Sequence, residues 1–232
     1  MLITPSEVHV WRAEVDRPSA EIEQFFQILA PDEQQRSQRF RFEKDRKKFV
    51  IARGLLRIIL ARYLSVSSDR VLFSYGSKGK PAIANTYPMG ELCFNVSHSH
   101  QMALYAIALN RPVGIDLEHI RPIEAVALSQ RFFLPSEAIV IRSLIGTEQH
   151  QVFFRGWTQK EAYLKATGDG LGQLASVEVA LTESMRLISI DGDFNIAAQW
   201  FVQEIAMPDC ATEYAAALVV KGAQPDLHYF SI

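Results

Sequence analysis

The pentapeptide Gly114-Ile115-Asp116-Leu117-Glu118 carries two acids two residues apart. Alternate side chains of a strand point to one side, so Asp116 and Glu118 would present their carboxylates together. Close carboxylates raise each other's pKa unless a cation joins them. Oxygen donors of this kind suit Mg²⁺, which takes one or two protein carboxylates along with phosphate and water. A polar strand face with two solvated acids is the plainer alternative. Further along, Trp157 to Gly168 places Glu161 and Lys165 at i, i+4 on one helix face. Glu161 could add a third carboxylate, and Lys165 a cation for phosphate. Two structural alternatives compete: a Thr158-x-x-Glu161 capping box and a helix-stabilising Glu161/Lys165 ion pair. The apolar pattern begins upstream at Val152, Phe153 and Phe154, which places Thr158 mid-helix and argues against the box.

Two polar segments could meet phosphate. Asn95-Val96-Ser97-His98-Ser99 offers small hydrogen-bonding side chains and an imidazole. It lacks the Gly-x-Ser-x-Gly elbow of a serine hydrolase. A structural or solvated histidine is the alternative for His98. Lys78-Gly79-Lys80-Pro81 combines a tight turn with two point charges suited to phosphate. It lacks the spacing of a Walker A loop.

These residues need elements to hold them. Val8, Val10, Ala13 and Val15 alternate as a strand within residues 3–15, and Ile22, Phe25, Phe26 and Leu29 follow at helical spacing. Pro31-Asp32-Glu33 can start a second helix. Residues 47–63 form a long helical pattern and 71–75 a strand. Residues 91–96 and 102–109 read as strands around a polar turn at Ser97–His100. Asn110-Arg111-Pro112 is a turn signal and the expected boundary, giving halves 1–111 and 112–232. The second half reads as a strand at 113–118, helices near 124–131 and from 135, a long helix at 150–167 closed by Gly168, and a meander of strands at 176–181, 186–190, 196–204 and 214–220. No internal sequence repeat is evident.

The charge is unevenly placed. Of 232 residues, 24 are Lys or Arg and 26 Asp or Glu, so the formal net charge is −2. That balance excludes a broadly basic nucleic-acid coat protein. By segment, however, residues 1–35 carry −5, residues 36–80 carry +10 and the remainder −7. The basic block attracts phosphates or an acidic partner, or is a solvated helix face. No run reaches the roughly 18 apolar residues of a membrane span, and the first residues do not read as a signal peptide. Two cysteines without a CxxC fit a reducing cytoplasm and give no structural zinc site.

Taken in order, these motifs resemble the Sfp-type 4′-phosphopantetheinyl transferases. The stretches that carry the likeness are Gly79-Lys80-Pro81, Phe94 to Ser99, Gly114 to Glu118, Arg131-Phe132-Phe133, Trp157 to Lys165 and Gly168-x-Gly170-Leu171. The resemblance implies an α+β fold of two similar α/β halves related by a pseudo-twofold axis, with coenzyme A in the cleft between them. The implied reaction moves the phosphopantetheine arm to a serine of an acidic acyl or peptidyl carrier protein and releases adenosine 3′,5′-bisphosphate. By resemblance, Asp116, Glu118 and Glu161 are the Mg²⁺ ligands, with Mn²⁺ as the alternative metal. Lys165 approaches the diphosphate, and Glu161 is the candidate base. Lys80, Ser97 and His98 contact coenzyme A phosphates, and Arg36 and Arg53 hold its 3′-phosphate and adenine end. The length matches the monomeric class, and neither nucleic acid nor membrane is an expected partner. Two rivals use the same residues: a Mg²⁺-dependent phosphohydrolase of nucleotide diphosphates, and a non-catalytic module binding carrier proteins.

Overall fold

The computed structural model describes residues 1–76, 78–84, 90–207, 210 and 212–232; Ser77, just before the Lys78–Pro81 loop, lies outside them. The first half runs β1 (Glu7–Glu14), α1 (Ser19–Gln27), α2 (Pro31–Gln38), α3 (Glu43–Leu64), β2 (Phe73–Tyr75), β3 (Pro81–Ile83), β4 (Leu92–Ser99) and β5 (Met102–Leu109). The second runs β6 (Val113–His119), α4 (Ala125–Phe132), α5 (Pro135–Ser143), α6 (Gly146–Thr167), β7 (Val177–Val179), β8 (Leu187–Ile190), the short α7 (Phe194–Ala197), β9 (Trp200–Glu204) and β10 (Tyr214–Lys221). Apart from α7 the element order repeats. A final strand, β11 (Asp226–Ser231), stands outside the repeat.

Side-chain alternation stacks the elements into layers. In β5, Ala103, Tyr105, Ile107 and Leu109 pack against Val50, Ile51, Leu55 and Ile59 of α3. Their neighbours Leu104, Ala106 and Ala108 face the other way, onto Ile115, Leu117, Ala216 and Leu218 of the second half. In β10 the alternation is mirrored: Ala215, Ala217 and Val219 turn to α6 and its surroundings. The order is therefore α3, first sheet, second sheet, α6. Strands buried on both faces read as near-continuous apolar runs, which explains MALYAIAL in β5 and YAAALVV in β10.

The sheets are ordered β11-β1-β5-β4 and β6-β10-β9. The meander expected over 176–220 is absent: β7 and β8 form a separate hairpin. The expected strand start at 196 is the end of α7 and a turn before β9. The expected turn at Ser97–His100 is also displaced. β4 continues through Ser99, and the reversal falls at His100, whose φ is +53°. The small polar residues prolong the strand because their hydroxyls have backbone partners on β6. β11 lies parallel to β1, pairing Glu7 with Asp226 and Trp11 with Phe230.

Each long helix is anchored by one buried cation. Arg57 (1% exposed) donates to Glu33 Oε2 at 2.6 Å and to the carbonyls of Ser68 and Val71 at 3.0 Å each. Lys160 (0% exposed) donates to Glu137 Oε2 at 2.7 Å and to the carbonyls of Leu174 and Val177. Glu33 and Glu137 each follow a proline at the start of a short helix and also accept the backbone N–H before it, Ala30 and Leu134 respectively. Fully paired charges of this kind specify how elements meet, since either partner alone would be a costly buried ion. No helix among the described residues is long and apolar enough to cross a membrane.

Candidate active site

The acids are placed by the pleat of β6. Val113, Ile115 and Leu117 enter the core between the sheets. Gly114, Asp116 and Glu118 therefore face α6. Gly114 makes that approach possible: a Cβ there would lie 2.0 Å from the Ala162 carbonyl oxygen of α6. No side chain fits, so the helix backbone sits against the strand and brings Glu161 and Lys165 over the two acids. Thr158 lies buried within α6, its hydroxyl donating to the Arg155 carbonyl, so it caps nothing.

Asp116 is 3% exposed and is the centre of the cluster. Its Oδ1 accepts from Lys165 Nζ at 2.5 Å and from Ser97 Oγ at 2.8 Å. Lys165 also donates to Ser97 Oγ at 3.0 Å. Asp116 Oδ2 is buried and has no hydrogen-bond partner among the described residues. Glu161 is 8% exposed. Burial, then the charges of Asp116 and Glu118, push its pKa up to about 7, while Lys165 acts in the opposite direction. Burial and the Asp116 charge also raise Glu118, opposed by its hydrogen bond from Ser99 and by the cations Arg121 and Lys165. The three carboxylates thus share one electrostatic field, with the Lys165 ammonium in contact with Asp116.

That donor set fits a hard divalent cation. Three carboxylates supply oxygen ligands, Asp116 Oδ2 has no other partner among the described residues, and added positive charge would relieve the repulsion that lifts Glu161 and Glu118. Among the described residues no three His, Cys, Asp or Glu side chains form a ready-made metal cage. Lys165 supplies the contact charge at Asp116 in this arrangement.

Three of the other sequence candidates fall into a neighbouring cavity. Arg36, Arg53 and His98 line a space of about 270 Å³ together with Phe49, Tyr75 and Phe94. Arg53 is partly engaged already: its guanidinium donates to Glu33 Oε1 at 2.5 Å and Tyr75 Oη at 2.7 Å and lies 3.7 Å from the Phe73 ring centre. Arg36 stacks over Phe49. The ring of His98 keeps solvent contact, yet enclosure by surrounding atoms, then the cations Lys165 and Lys48, holds its pKa below the ordinary imidazole value. Lys80 donates to the Ala166 carbonyl at the end of α6, 2.7 Å away. Beside it Lys78 pairs with Asp169 at 2.9 Å. The β2–β3 loop is thereby fastened to the second half.

Two participants carried no individual role in the sequence. Ser99 donates to Glu118 Oε2 at 3.2 Å, and Asn95 Oδ1 accepts the Ile115 backbone N–H at 2.9 Å. The available signal was the i, i+2, i+4 spacing of Asn95, Ser97 and Ser99, which puts them on one side of a strand.

Sequence comparison covers both halves. Residues 112–219 match the family described as the 4′-phosphopantetheinyl transferase superfamily, and residues 11–110 match the 4′-phosphopantetheinyl transferase N-terminal family. The chain is 39% identical over 231 residues to the 4′-phosphopantetheinyl transferase HetI of Nostoc sp., covering 99% of this chain and 95% of that one. It is 29% identical to the 4′-phosphopantetheinyl transferase Sfp of Bacillus subtilis over 68% of this chain and 69% of the relative. A solved holo-(acyl-carrier-protein) synthase from Bacillus anthracis overlaps with TM-score 0.37 and 24% identity, covering 48% of this chain and 96% of that one. With a family match across each half and a full-length relative, this chain belongs to the 4′-phosphopantetheinyl transferase superfamily.

Proposed function

We propose that this chain transfers the 4′-phosphopantetheine arm of coenzyme A to a serine hydroxyl of an apo acyl or peptidyl carrier protein. One juxtaposition carries the reading. β4 contributes Phe94 and His98 to the cavity that holds Arg36 and Arg53, while Ser97 of the same strand touches Asp116 and Lys165. A substrate with an anionic adenosine end and a reactive diphosphate matches such a strand: one side offers cations and aromatic rings, the other a carboxylate cluster. Arg36 and Arg53 would hold the 3′-phosphate and adenine end, and His98, Ser97 and Lys80 the phosphates nearer the reaction.

Asp116, Glu118 and Glu161 would hold Mg²⁺, with Mn²⁺ as the alternative. When bound, the ion would screen the diphosphate and offset the charge that develops on the departing phosphate. The chain's own residues do the rest. Lys165 places a second positive charge beside the diphosphate. The carrier serine oxygen forms the new bond to the phosphorus next to pantetheine, the bond from that phosphorus to the bridging oxygen breaks, and adenosine 3′,5′-bisphosphate leaves. Glu161 accepts the serine proton, directly or through water. Holding both substrates in line supplies much of the acceleration.

The same reading treats residues 1–111 as the coenzyme A half and 112–232 as the metal half, related by a pseudo-twofold axis. The repeated element order supports that relation. It also takes the protein as a cytoplasmic monomer.

Intact mass of an apo carrier protein incubated with this protein, coenzyme A and Mg²⁺ tests the function. The expected result is a gain of one phosphopantetheine arm that disappears with Asp116→Ala or Glu161→Ala. Release of adenosine 3′,5′-bisphosphate without any carrier would point to hydrolysis instead. Carrier binding with no turnover would point to a non-catalytic module.

A further inference from the structure

The two halves meet along a ladder in which side chains of one strand replace the backbone of another. β6 pairs with β10 on one side only, so its outer N–H groups need acceptors. Asn95, Ser97 and Ser99 on β4, itself the edge of the first sheet, supply them: their side-chain oxygens accept from Ile115, Leu117 and His119 at 2.9, 3.2 and 3.0 Å. A serine oxygen that accepts still has one proton to give. Ser97 gives its proton to Asp116 and Ser99 gives its proton to Glu118, in each case the residue just before the N–H it accepts. Asn95 stands opposite Gly114, where there is no acid.

We propose that Ser99 is a positioning residue that aims Glu118 at the divalent cation. This role rests on Asp116, Glu118 and Glu161 being the ligands. Glu118 is long, only partly buried, and has a competing attraction: Arg121 lies 3.6 Å from the same Oε2 that Ser99 holds. Arg121 is exposed and sits beyond the end of β6. Without the Ser99 hydroxyl, Glu118 is free to follow Arg121 outward. With it, the carboxylate is fixed by the first half of the chain over the site of the second. The ladder so couples the seam between the halves to the geometry of one ligand.

The test is Mn²⁺ binding to the full chain, read by electron paramagnetic resonance without coenzyme A or carrier. Ser99→Ala is expected to weaken Mn²⁺ binding about tenfold, the low end of what removal of a ligand's hydrogen-bond partner costs. Ser99→Thr restores it. Asn95→Ala, which removes a rung of the same ladder with no acid attached, leaves Mn²⁺ affinity unchanged while lowering the melting temperature as Ser99→Ala does. In a Glu118→Gln background, Ser99→Ala adds no further weakening. Should Ser99→Ala fail to fold, Ser99→Cys, similar in shape and a weak donor, is read in its place. Unchanged Mn²⁺ affinity in Ser99→Ala, equal weakening by Asn95→Ala, or a full additional loss on Glu118→Gln overturns the role of Ser99 alone. A parent protein that binds no Mn²⁺ overturns the ligand assignment and the role with it.

Discussion

Arg57 and Lys160 stand at the same place, fourteen residues after the first residue of their respective 22-residue helices. Each reaches a glutamate at the start of a short helix and the carbonyls of the segment before the next strand. Lys160→Met should therefore cost about 3–5 kcal/mol of stability, because it strands the buried carboxylate of Glu137. Arg57→Met should cost less through Glu33, which keeps the Arg53 guanidinium at 2.5 Å. Urea denaturation of both variants measures the losses; a change below about 1 kcal/mol in either would show that its pair is dispensable.

Removing the charge of Asp116 should act on chemistry rather than on the fold. Asp116→Asn keeps the shape of a side chain held by Ser97 and Lys165. Transfer to an apo carrier should fall about 10²–10³-fold, the effect of losing one preorganised electrostatic contact in other enzymes. Far-ultraviolet circular dichroism should match the parent. A variant that keeps the parent's rate would remove Asp116 from the reaction.

The cavity assignment can be tested with the substrate rather than the fold. If Arg36 holds the 3′-phosphate, Arg36→Ala should raise KM for coenzyme A about tenfold or more, the worth of a charge-assisted hydrogen bond. KM for dephospho-coenzyme A, which lacks that phosphate, should hardly move. An equal effect on both substrates would place Arg36 elsewhere on the ligand.

His9 makes stability depend on pH. Its Nδ1 lies 2.7 Å from the Tyr63 hydroxyl, which also accepts the Trp11 indole N–H at 2.9 Å. A neutral His9 accepts the Tyr63 proton at Nδ1 or donates its own to the Tyr63 oxygen, according to its tautomer. Burial lowers the His9 pKa, against the opposing charge of Glu7. A lowered folded value means that the unfolded chain binds the proton first. This contribution is complete above the ordinary imidazole value of 6.5 and is lost as pH falls through the lower folded value. His9→Asn keeps an acceptor and cannot take the proton, so its melting temperature should fall less between about pH 7 and pH 5. Parallel melting curves for parent and variant would assign the acid sensitivity to other groups.

Legibility in the sequence followed periodicity. Phe49 to Tyr63 and Phe153 to Leu164 repeat apolar residues at helical spacing, and α3 and α6 occupy those stretches. Asp116 and Glu118 are two apart on a strand, and so share the side that meets α6. The near-complete enclosure of Asp116 was not legible, because it depends on Gly114 letting the helix backbone close in. Ser97 and Ser99 look like turn residues by type; only a second strand edge needing acceptors makes them strand residues. Lys160 reads as an ordinary helix lysine, since its partner Glu137 lies 23 residues earlier and its acceptor carbonyls later. β11 gave no periodic signal, for its burial follows no strict alternation.

That last strand has a bearing on synthesis. Residues 226–231 leave a ribosome after the whole of the second half, yet they lie along β1 near the start of the chain. Phe230 stacks on Trp11, and the Ile232 carbonyl accepts from Arg17. During translation β1 must wait with one edge open while more than a hundred residues are made, a long exposure for an unpaired strand. The first half can gather its core early, but its outermost hydrogen bonds form last. The molecule is therefore fastened, like a belt, by the segment farthest from where its folding can begin.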